Sequence, residues 1–150
     1  MPEEGSPAPD FTLPASNGET VTLSLLKGRK VVLYFYPKDS TPGCTREACD
    51  FKDNFDSFNK KNVLILGVSK DSLESHNKFI NKNELPFLLL SDTEVDVAKA
   101  YGVWKEKVNY GKRYMGIERT TFLIDPDGII TKVFKKVKVD GHAGKILELL

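Results

Sequence analysis

The chain is poor in cysteine, with two residues of this type among 150. Two cysteines are too few for the disulfide framework of a small secreted domain. Basic and acidic side chains nearly balance, 22 against 21, which leaves a formal net charge of +1. This balance gives no electrostatic reason to bind nucleic acid or an anionic membrane, and we expect neither as a partner.

The chain also lacks long apolar runs and a targeting segment. No apolar run approaches the roughly 18 residues of a membrane-spanning helix. The N-terminal segment MPEEGSPAPDF is acidic and proline-rich, without the basic and apolar regions of a signal peptide. We therefore expect a cytoplasmic protein. With 40% hydrophobic residues, the chain can bury one core, and we expect a single domain over residues 1–150.

The most informative segment holds both cysteines. PKDSTPGCTREAC runs from Pro37 to Cys49, directly behind the apolar run VVLYFY. Thr41 is a favourable N-cap and Pro42 suits the first helical position, so we predict a helix that begins near Pro42. Cys44 then lies in the first turn, where free backbone N–H groups and the helix dipole favour a thiolate. Gly43 would let another molecule approach the backbone closely.

The spacing of the two cysteines indicates a reacting pair. The apolar positions after Cys44 predict one helix that ends near Lys60, with a buried stripe formed by Ala48, Phe51, Phe55 and Phe58. In an intact helix, residues five apart have Cα atoms about 9 Å from each other. A disulfide needs less than about 7 Å. Cys44 and Cys49 can therefore bond only if the turn between them unwinds.

Alternating strands and helices are predicted along the rest of the chain. The turn Asn17-Gly18 between FTL and TVTL predicts an N-terminal β-hairpin. VVLYFYP and VLILGV predict central strands, and FLLL predicts an inner strand. A polar helix is predicted from Ser72 to about Asn83, a short helix capped by Gly102, and a last helix from Asp140.

Near the C-terminus, RTTFLIDPDGIITKVF predicts an antiparallel hairpin, and KVFKKVKV predicts a strand with a charged outer face. Residues 103–118 give no clear prediction. Together the elements predict an α/β protein with a thioredoxin-like fold, in which a mixed central sheet is flanked by helices.

Two segments of the sequence resemble a known protein family. PKDSTPGCTREACDF and GIERTTFLID are similar to the peroxiredoxin Q or bacterioferritin comigratory protein branch of the peroxiredoxins. The resemblance covers nearly the whole chain, from PAPDF to the final helix. By position it implies that Cys44 is the peroxidatic cysteine and Cys49 the resolving cysteine. It also implies that Thr41 is the active-site hydroxyl, Pro37 the shielding proline and Arg119 the active-site guanidinium.

The resemblance implies a peroxidase that needs no cofactor or metal. Hydrogen peroxide or an organic hydroperoxide would oxidise Cys44 to a sulfenic acid, and Cys49 would then form an intramolecular disulfide that thioredoxin or a similar dithiol reduces. Full ionisation of a free thiol raises the thiolate concentration, and so the rate, only about 30-fold at neutral pH. Enzymes commonly accelerate reactions ~10⁶-fold or more. Donors aimed at the O–O bond must therefore supply most of the acceleration, and Arg119, Thr41 and the N–H groups near Gly43 are the candidates. The family includes monomers and dimers, so we expect a monomer or a weak dimer.

Other interpretations stay open. A general thiol-disulfide oxidoreductase is the second candidate, although it would have two rather than four residues between its cysteines. A zinc or iron site is the third, but the cysteines and histidines show no recognised ligand spacing. Glu47 either orients Thr41 or Arg119, or is an ordinary exposed glutamate. We expect His76 and His142 to be solvated helix residues.

Four large side chains either line a pocket entrance or cover the core, and the core is the preferred interpretation. They are Trp104, Tyr110, Tyr114 and Met115.

Overall fold

The structure is a computed structural model that describes residues 1–150. Its nine strands are β1 (Thr12–Pro14), β2 (Thr20–Thr22), β3 (Lys30–Phe35), β4 (Val63–Ser69), β5 (Leu88–Ser91), β6 (Trp104–Asn109), β7 (Lys112–Ile117), β8 (Thr120–Ile124) and β9 (Ile130–Phe134). Five of them form the central sheet in the order β5-β4-β3-β8-β9. β3 pairs in parallel with β4 and antiparallel with β8. The predicted mixed sheet, with VVLYFYP at its centre, is confirmed.

Five α-helices and one short 3-10 helix accompany the sheet. They are the 3-10 helix Leu23–Leu26 and the α-helices α1 (Pro42–Asp53), α2 (Phe55–Lys60), α3 (Leu73–Asn83), α4 (Asp96–Ala100) and α5 (His142–Leu147). None of the helices has the length and apolar character needed to cross a bilayer. The helices flank the sheet as predicted.

Both faces of the central sheet are covered by other elements. Successive side chains of β3 point to opposite faces. Leu33 and Phe35 pack with residues of α4 and of the N-terminal hairpin. Val32 and Tyr34 pack with residues of α1, α2, α3 and α5. The alternation of one fully apolar strand therefore builds two cores, and Cys44 of α1 belongs to the second.

The predicted N-terminal hairpin is confirmed, with β1 paired to β2 across the Asn17-Gly18 turn. Gly18 adopts a φ of +85°, a conformation that glycine enters without strain. The hairpin is joined to the main sheet by a bridge between Ala15 and Leu90.

The helix predicted to end near Lys60 is interrupted at Asn54, which divides it into α1 and α2. The side chain of Asn54 donates to the carbonyl of Asp50 at 2.8 Å. An asparagine side chain that bonds to the backbone in this way competes with regular helix formation. Of the predicted stripe, Ala48, Phe51 and Phe58 are fully buried, whereas Phe55 is only partly buried against the same core.

The ambiguous residues 103–118 contain a second hairpin. β6 and β7 pair only with each other and form a ribbon separate from the central sheet. Tyr110 at its tip is 97% exposed, and Tyr114 and Met115 are also exposed. The preferred core interpretation is therefore wrong for these three side chains, which lie on a two-stranded ribbon without a complete covering layer.

The strand predicted over KVFKKVKV is shorter than expected. β9 ends at Phe134, and Lys136 has a φ of +49°, which interrupts the extended backbone. The following loop turns back, and the amide of Val137 donates to the carbonyl of Arg119 at 3.0 Å.

Pairing between β3 and β8 places two distant segments at one edge of the sheet. Phe35 at the end of β3 lies opposite Thr120 at the start of β8. Arg119 therefore lies beside the point where the chain leaves β3 and enters the segment that begins at Pro37.

Gly67 of β4 lies between Tyr34 of β3 and Leu89 of β5, which leave little room for a side chain. A Cβ on Gly67 would lie 2.7 Å from Cδ2 of Leu89 and 2.8 Å from Cζ of Tyr34. We expect Gly67→Ala to lower the free energy of unfolding by about 1–3 kcal/mol in urea denaturation, because these neighbours are buried and must shift. Gly144→Ala is the matched control, since nothing lies within 4 Å of its added Cβ. Because Gly144 lies inside α5, Gly144→Ala should raise the free energy of unfolding by about 0.5–1 kcal/mol. Equal stability of the two variants would contradict this account.

Candidate active site

Cys44 lies in the first turn of α1, where the sequence predicts it. It is only 2% exposed, and its thiol is free. The amides of Gly43 and Cys44 belong to the first turn, whose N–H groups have no carbonyl partner within the helix. The sulfur is thus at the boundary between the apolar core and a group of free backbone donors.

The guanidinium of Arg119 connects Cys44 to Glu47. Its Nη2 donates to Sγ of Cys44 at 3.3 Å, and its Nη1 donates to Oε1 of Glu47 at 2.7 Å. A Cβ on Gly43 would lie 3.2 Å from the same Nη2. Because Gly43 has no side chain, the Arg119 guanidinium can approach this point of the backbone. The close approach predicted for another molecule at Gly43 is thus made by a side chain of the same chain.

Glu47 is wholly buried, so the interpretation as an ordinary exposed glutamate is wrong. Burial raises the pKa of its carboxyl from 4.5 to about 7, although the charge and hydrogen bond of Arg119 act in the opposite direction. Its second oxygen, Oε2, has no hydrogen-bond partner. The hydrogen bond of Glu47 is to Arg119, which favours the open alternative in which Glu47 orients that residue.

Thr41 occupies the N-cap position with extended backbone angles, but its side chain makes no capping hydrogen bond. The expectation that its hydroxyl caps the helix is wrong, because Oγ1 instead donates to the carbonyl of Lys38 at 2.8 Å. Since that bond uses the hydroxyl proton, the lone pairs of Oγ1 are left as acceptors. Pro37 lies half-buried at the beginning of the same segment.

Cys49 lies on the same unbroken helix as Cys44, and its thiol is also free. It is half-buried and lines a shallow surface pocket with Arg46, Asp50 and Asp53 of α1 and the loop at residues 139–141. The intact helix keeps the two cysteines in the separated arrangement that the sequence predicts.

The two histidines are buried, so the prediction that they are solvated is wrong. His76 is fully buried and bonds Asp39 and the carbonyl of Leu90. His142 lies 2.9 Å from the hydroxyl of Thr121, and burial together with the charges of Lys145 and Arg119 lowers its pKa to about 4. His76 belongs to a largely polar helix and His142 begins a short one, and the sequence alone did not reveal which face of either helix is covered.

One group of side chains has the composition of a metal site. Ligand atoms of Asp39, Asp71 and His76 lie within 4.8 Å of one another. Each of these side chains, however, is already hydrogen-bonded to protein groups. The group is therefore explained as a hydrogen-bond network, and the sequence did not identify it.

Strand β7 of the second hairpin ends at Ile117, close in sequence to Arg119. Burial and the positive charge of Arg119 lower the pKa of Lys107 on β6. Lys107 lies opposite Tyr114 in the hairpin.

Known proteins resemble the chain over nearly its whole length. Residues 5–133 match the AhpC/TSA family. Peroxiredoxin Bcp of Bacillus subtilis is 56% identical over 148 residues, which cover 99% of this chain and 94% of that protein. A putative peroxiredoxin bcp of Coxiella burnetii is 54% identical over 145 residues, which cover 97% and 96%.

Solved structures agree with these matches. One is a structure of the Xanthomonas campestris bacterioferritin comigratory protein, from work on the alkyl peroxide reduction activity of that protein. It superposes with a TM-score of 0.88 at 45% identity and covers 93% of this chain and 88% of that one. Peroxidoxin BcpB of Mycobacterium tuberculosis gives a TM-score of 0.85 at 37% identity, with 97% and 94% covered. The thioredoxin-like fold that the sequence predicts is thereby confirmed.

The raised pKa of Glu47 predicts a particular pH dependence of stability. Between pH 4.5 and 7 the folded chain holds a proton on Glu47 that the unfolded chain has released. The free energy of unfolding therefore falls as the pH rises through this window, and Glu47→Gln lacks this contribution. We expect the stability of the wild type relative to Glu47→Gln to fall by about 3 kcal/mol between pH 4.5 and 7.5 in urea denaturation.

Exposed Glu94 provides the matched control for this measurement. The stability of the wild type relative to Glu94→Gln should change little over the same range. Parallel pH curves for the wild type and Glu47→Gln would contradict the assignment of a buried, protonatable Glu47.

Proposed function

The chain belongs to the AhpC/TSA family, in its peroxiredoxin Q or bacterioferritin comigratory protein branch, and we propose that Cys44 is the thiol with which it reduces hydroperoxides. The protein is a thiol-dependent peroxidase. The observation that carries the assignment of Cys44 is the 3.3 Å contact between its sulfur and the Arg119 guanidinium.

In the first step the Cys44 thiolate attacks the terminal oxygen of the hydroperoxide. An S–O bond forms and the O–O bond breaks, and the electron pair of the broken bond leaves with the second oxygen. That oxygen takes up a proton and departs as an alcohol, or as water when the substrate is hydrogen peroxide. Cys44 is left as a sulfenic acid.

Arg119 and Thr41 divide the stabilisation of this step. The guanidinium of Arg119, held by Glu47 at 2.7 Å, presents N–H groups beside the sulfur where the attacked and departing oxygens must lie. The lone pairs of Thr41 accept the hydrogen of the peroxide, because its own proton is bound to Lys38. First-turn amides near Gly43 add further donors, and Pro37 shields the site.

Cys49 resolves the sulfenic acid. Its thiolate attacks the Cys44 sulfur, an S–S bond forms, and the S–O bond breaks; the departing hydroxide takes up a proton from solvent and leaves as water. Because both residues lie in the unbroken helix α1, about 9 Å apart by helix geometry, the turn between them unwinds before the bond forms. An external dithiol, thioredoxin or a similar protein, then reduces the disulfide.

The positions of Cys44 and Cys49 argue against the second candidate function. A general thiol-disulfide oxidoreductase would present both sulfurs at the helix start, whereas Cys49 lies more than one turn further along α1, beside the loop at residues 139–141. A reducing, cytoplasmic setting is part of the proposal, because two cysteines are too few for a secreted disulfide framework. A monomer or a weak dimer is proposed for the assembly.

Single-turnover oxidation tests the assignment of the two cysteines. The reduced wild type, Cys44→Ser and Cys49→Ser are each mixed with one equivalent of hydrogen peroxide, and the products are identified by mass spectrometry. We expect an intramolecular disulfide in the wild type, no rapid oxidation in Cys44→Ser, and a sulfenic acid in Cys49→Ser that excess peroxide converts to sulfinic acid. Hydrogen exchange should show amides 44–53 losing protection only in the oxidised wild type.

Three outcomes would contradict the proposal. Peroxide consumption by Cys44→Ser at the wild-type rate would remove Cys44 from the nucleophilic role. A disulfide between two chains would overturn intramolecular resolution by Cys49. Unchanged hydrogen exchange across residues 44–53 would show that the helix does not unwind.

A further inference from the structure

The peptide group between Lys38 and Asp39 is held on both sides. Its N–H, from Asp39, donates to Oδ2 of Asp71 at 2.8 Å. Its carbonyl, from Lys38, accepts the hydroxyl proton of Thr41 at 2.8 Å. Because a trans peptide is planar and its N–H and C=O point in opposite directions, a bond that fixes the N–H also fixes the direction of the C=O. The orientation of the Thr41 hydroxyl thus depends on Asp71.

Asp71 is itself attached to the central sheet. Its Oδ2 accepts the hydroxyl proton of Ser69 at 2.6 Å, and its own amide donates to the Ser69 oxygen at 3.2 Å. Ser69 is fully buried at the end of β4. The Lys38–Asp39 peptide group is therefore linked through Asp71 to Ser69, at the end of strand β4.

The side chain of Asp39 provides a second anchor for the same peptide group. Its carboxylate accepts hydrogen bonds from Tyr36, from Ser75 at 2.8 Å and from Nδ1 of His76 at 2.7 Å. Burial raises the pKa of Asp39, but hydrogen bonds from His76 and Tyr36 lower it by more, so the group is ionised. The opposite nitrogen of His76 lies 2.9 Å from the carbonyl of Leu90. His76 is therefore held at both ring nitrogens.

The residue between these anchors and Thr41 is held in an unfavourable conformation. Ser40 has a φ of +62°, in the left-handed region that non-glycine residues seldom adopt. Such a conformation persists where the surrounding contacts fix it. The segment from Lys38 to Thr41 is therefore constrained at several points rather than free to move as an ordinary surface loop.

We propose that Asp71 is a positioning residue for the peroxidase reaction, which orients the Thr41 hydroxyl through the Lys38–Asp39 peptide group. This role rests on the proposed function, because it acts through the acceptor that Thr41 offers to the peroxide. Asp71 itself touches neither the Cys44 sulfur nor the Arg119 guanidinium. Its effect reaches the site through one planar group, and the hydrogen bonds of Asp39 to Tyr36, Ser75 and His76 keep that group in place.

The test is a double-mutant cycle on the rate constant for Cys44 oxidation by hydrogen peroxide. We expect Asp71→Ala to lower this constant about tenfold or more, because a small misplacement of a positioning group is costly to a reaction. In a Thr41→Val background, where no hydroxyl remains to be oriented, Asp71→Ala should change the constant by less than about twofold. Asp71→Asn keeps an oxygen that can accept the Asp39 amide and should restore most of the rate.

The matched control is Asp10→Ala. Asp10 also accepts a backbone N–H, that of Ser24 at 2.8 Å, but it lies beside a cavity at the opposite end of β3 and β8. This variant should oxidise at the wild-type rate. If Asp71→Ala does not fold, Tyr36→Phe removes one hydrogen bond to Asp39 without changing the ring, and it should show a smaller loss that also disappears in the Thr41→Val background.

The outcomes separate this role from the proposed function. If the wild type shows no oxidation of Cys44, the proposed function is wrong. If the wild type is oxidised and Asp71→Ala reacts at the same rate, only the positioning role is overturned. Losses from Asp71→Ala and Thr41→Val that simply add would show that Asp71 does not act through Thr41. An equal loss in Asp71→Asn and Asp71→Ala would assign the effect to charge and overturn the peptide-group mechanism.

Discussion

The site depends on one guanidinium that must satisfy two groups at once. Arg119 bonds the Cys44 sulfur with one nitrogen and the Glu47 carboxyl with another. A cation that is largely withdrawn from solvent needs such partners. The arrangement explains why Glu47 is enclosed, and why a side chain at Gly43 would meet the guanidinium at 3.2 Å. The fork of Arg119 thus fixes three positions of α1.

The central sheet brings this arrangement together from distant parts of the chain. The β3–β8 register places Arg119 beside the end of β3, and β4 supplies the anchor for the Lys38–Asp39 peptide group. Three neighbouring strands therefore position the thiol, the guanidinium and the hydroxyl. Helix α1 is the one part of the site whose opening the proposed disulfide requires, and the strands beneath it need not change.

Local chemistry in the sequence predicted the elements that depend on neighbouring residues. The Thr-Pro-Gly start of α1, the apolar alternation of β3 and the Asn17-Gly18 turn all have local causes, and the structure contains each of them. The sequence did not predict the break at Asn54, which depends on a side chain bonding its own backbone. Burial of Glu47 and His76 was also missed, because each is enclosed by partners more than 30 residues away. Thr41 was assigned a capping bond because a local partner was available, yet its hydroxyl turns to Lys38.

The most direct test of the account is the rate constant for Cys44 oxidation in Arg119→Lys. Lysine keeps the positive charge, but its single ammonium cannot reproduce the planar fork that reaches both Cys44 and Glu47. Exposed Arg113, which pairs with Glu106 on the β6–β7 hairpin, offers a matched Arg113→Lys control. The account predicts a loss on the order of a hundredfold in the oxidation rate constant for Arg119→Lys, with disulfide reduction by dithiothreitol and the Arg113→Lys control unchanged. An Arg119→Lys variant that oxidises at the wild-type rate would contradict it.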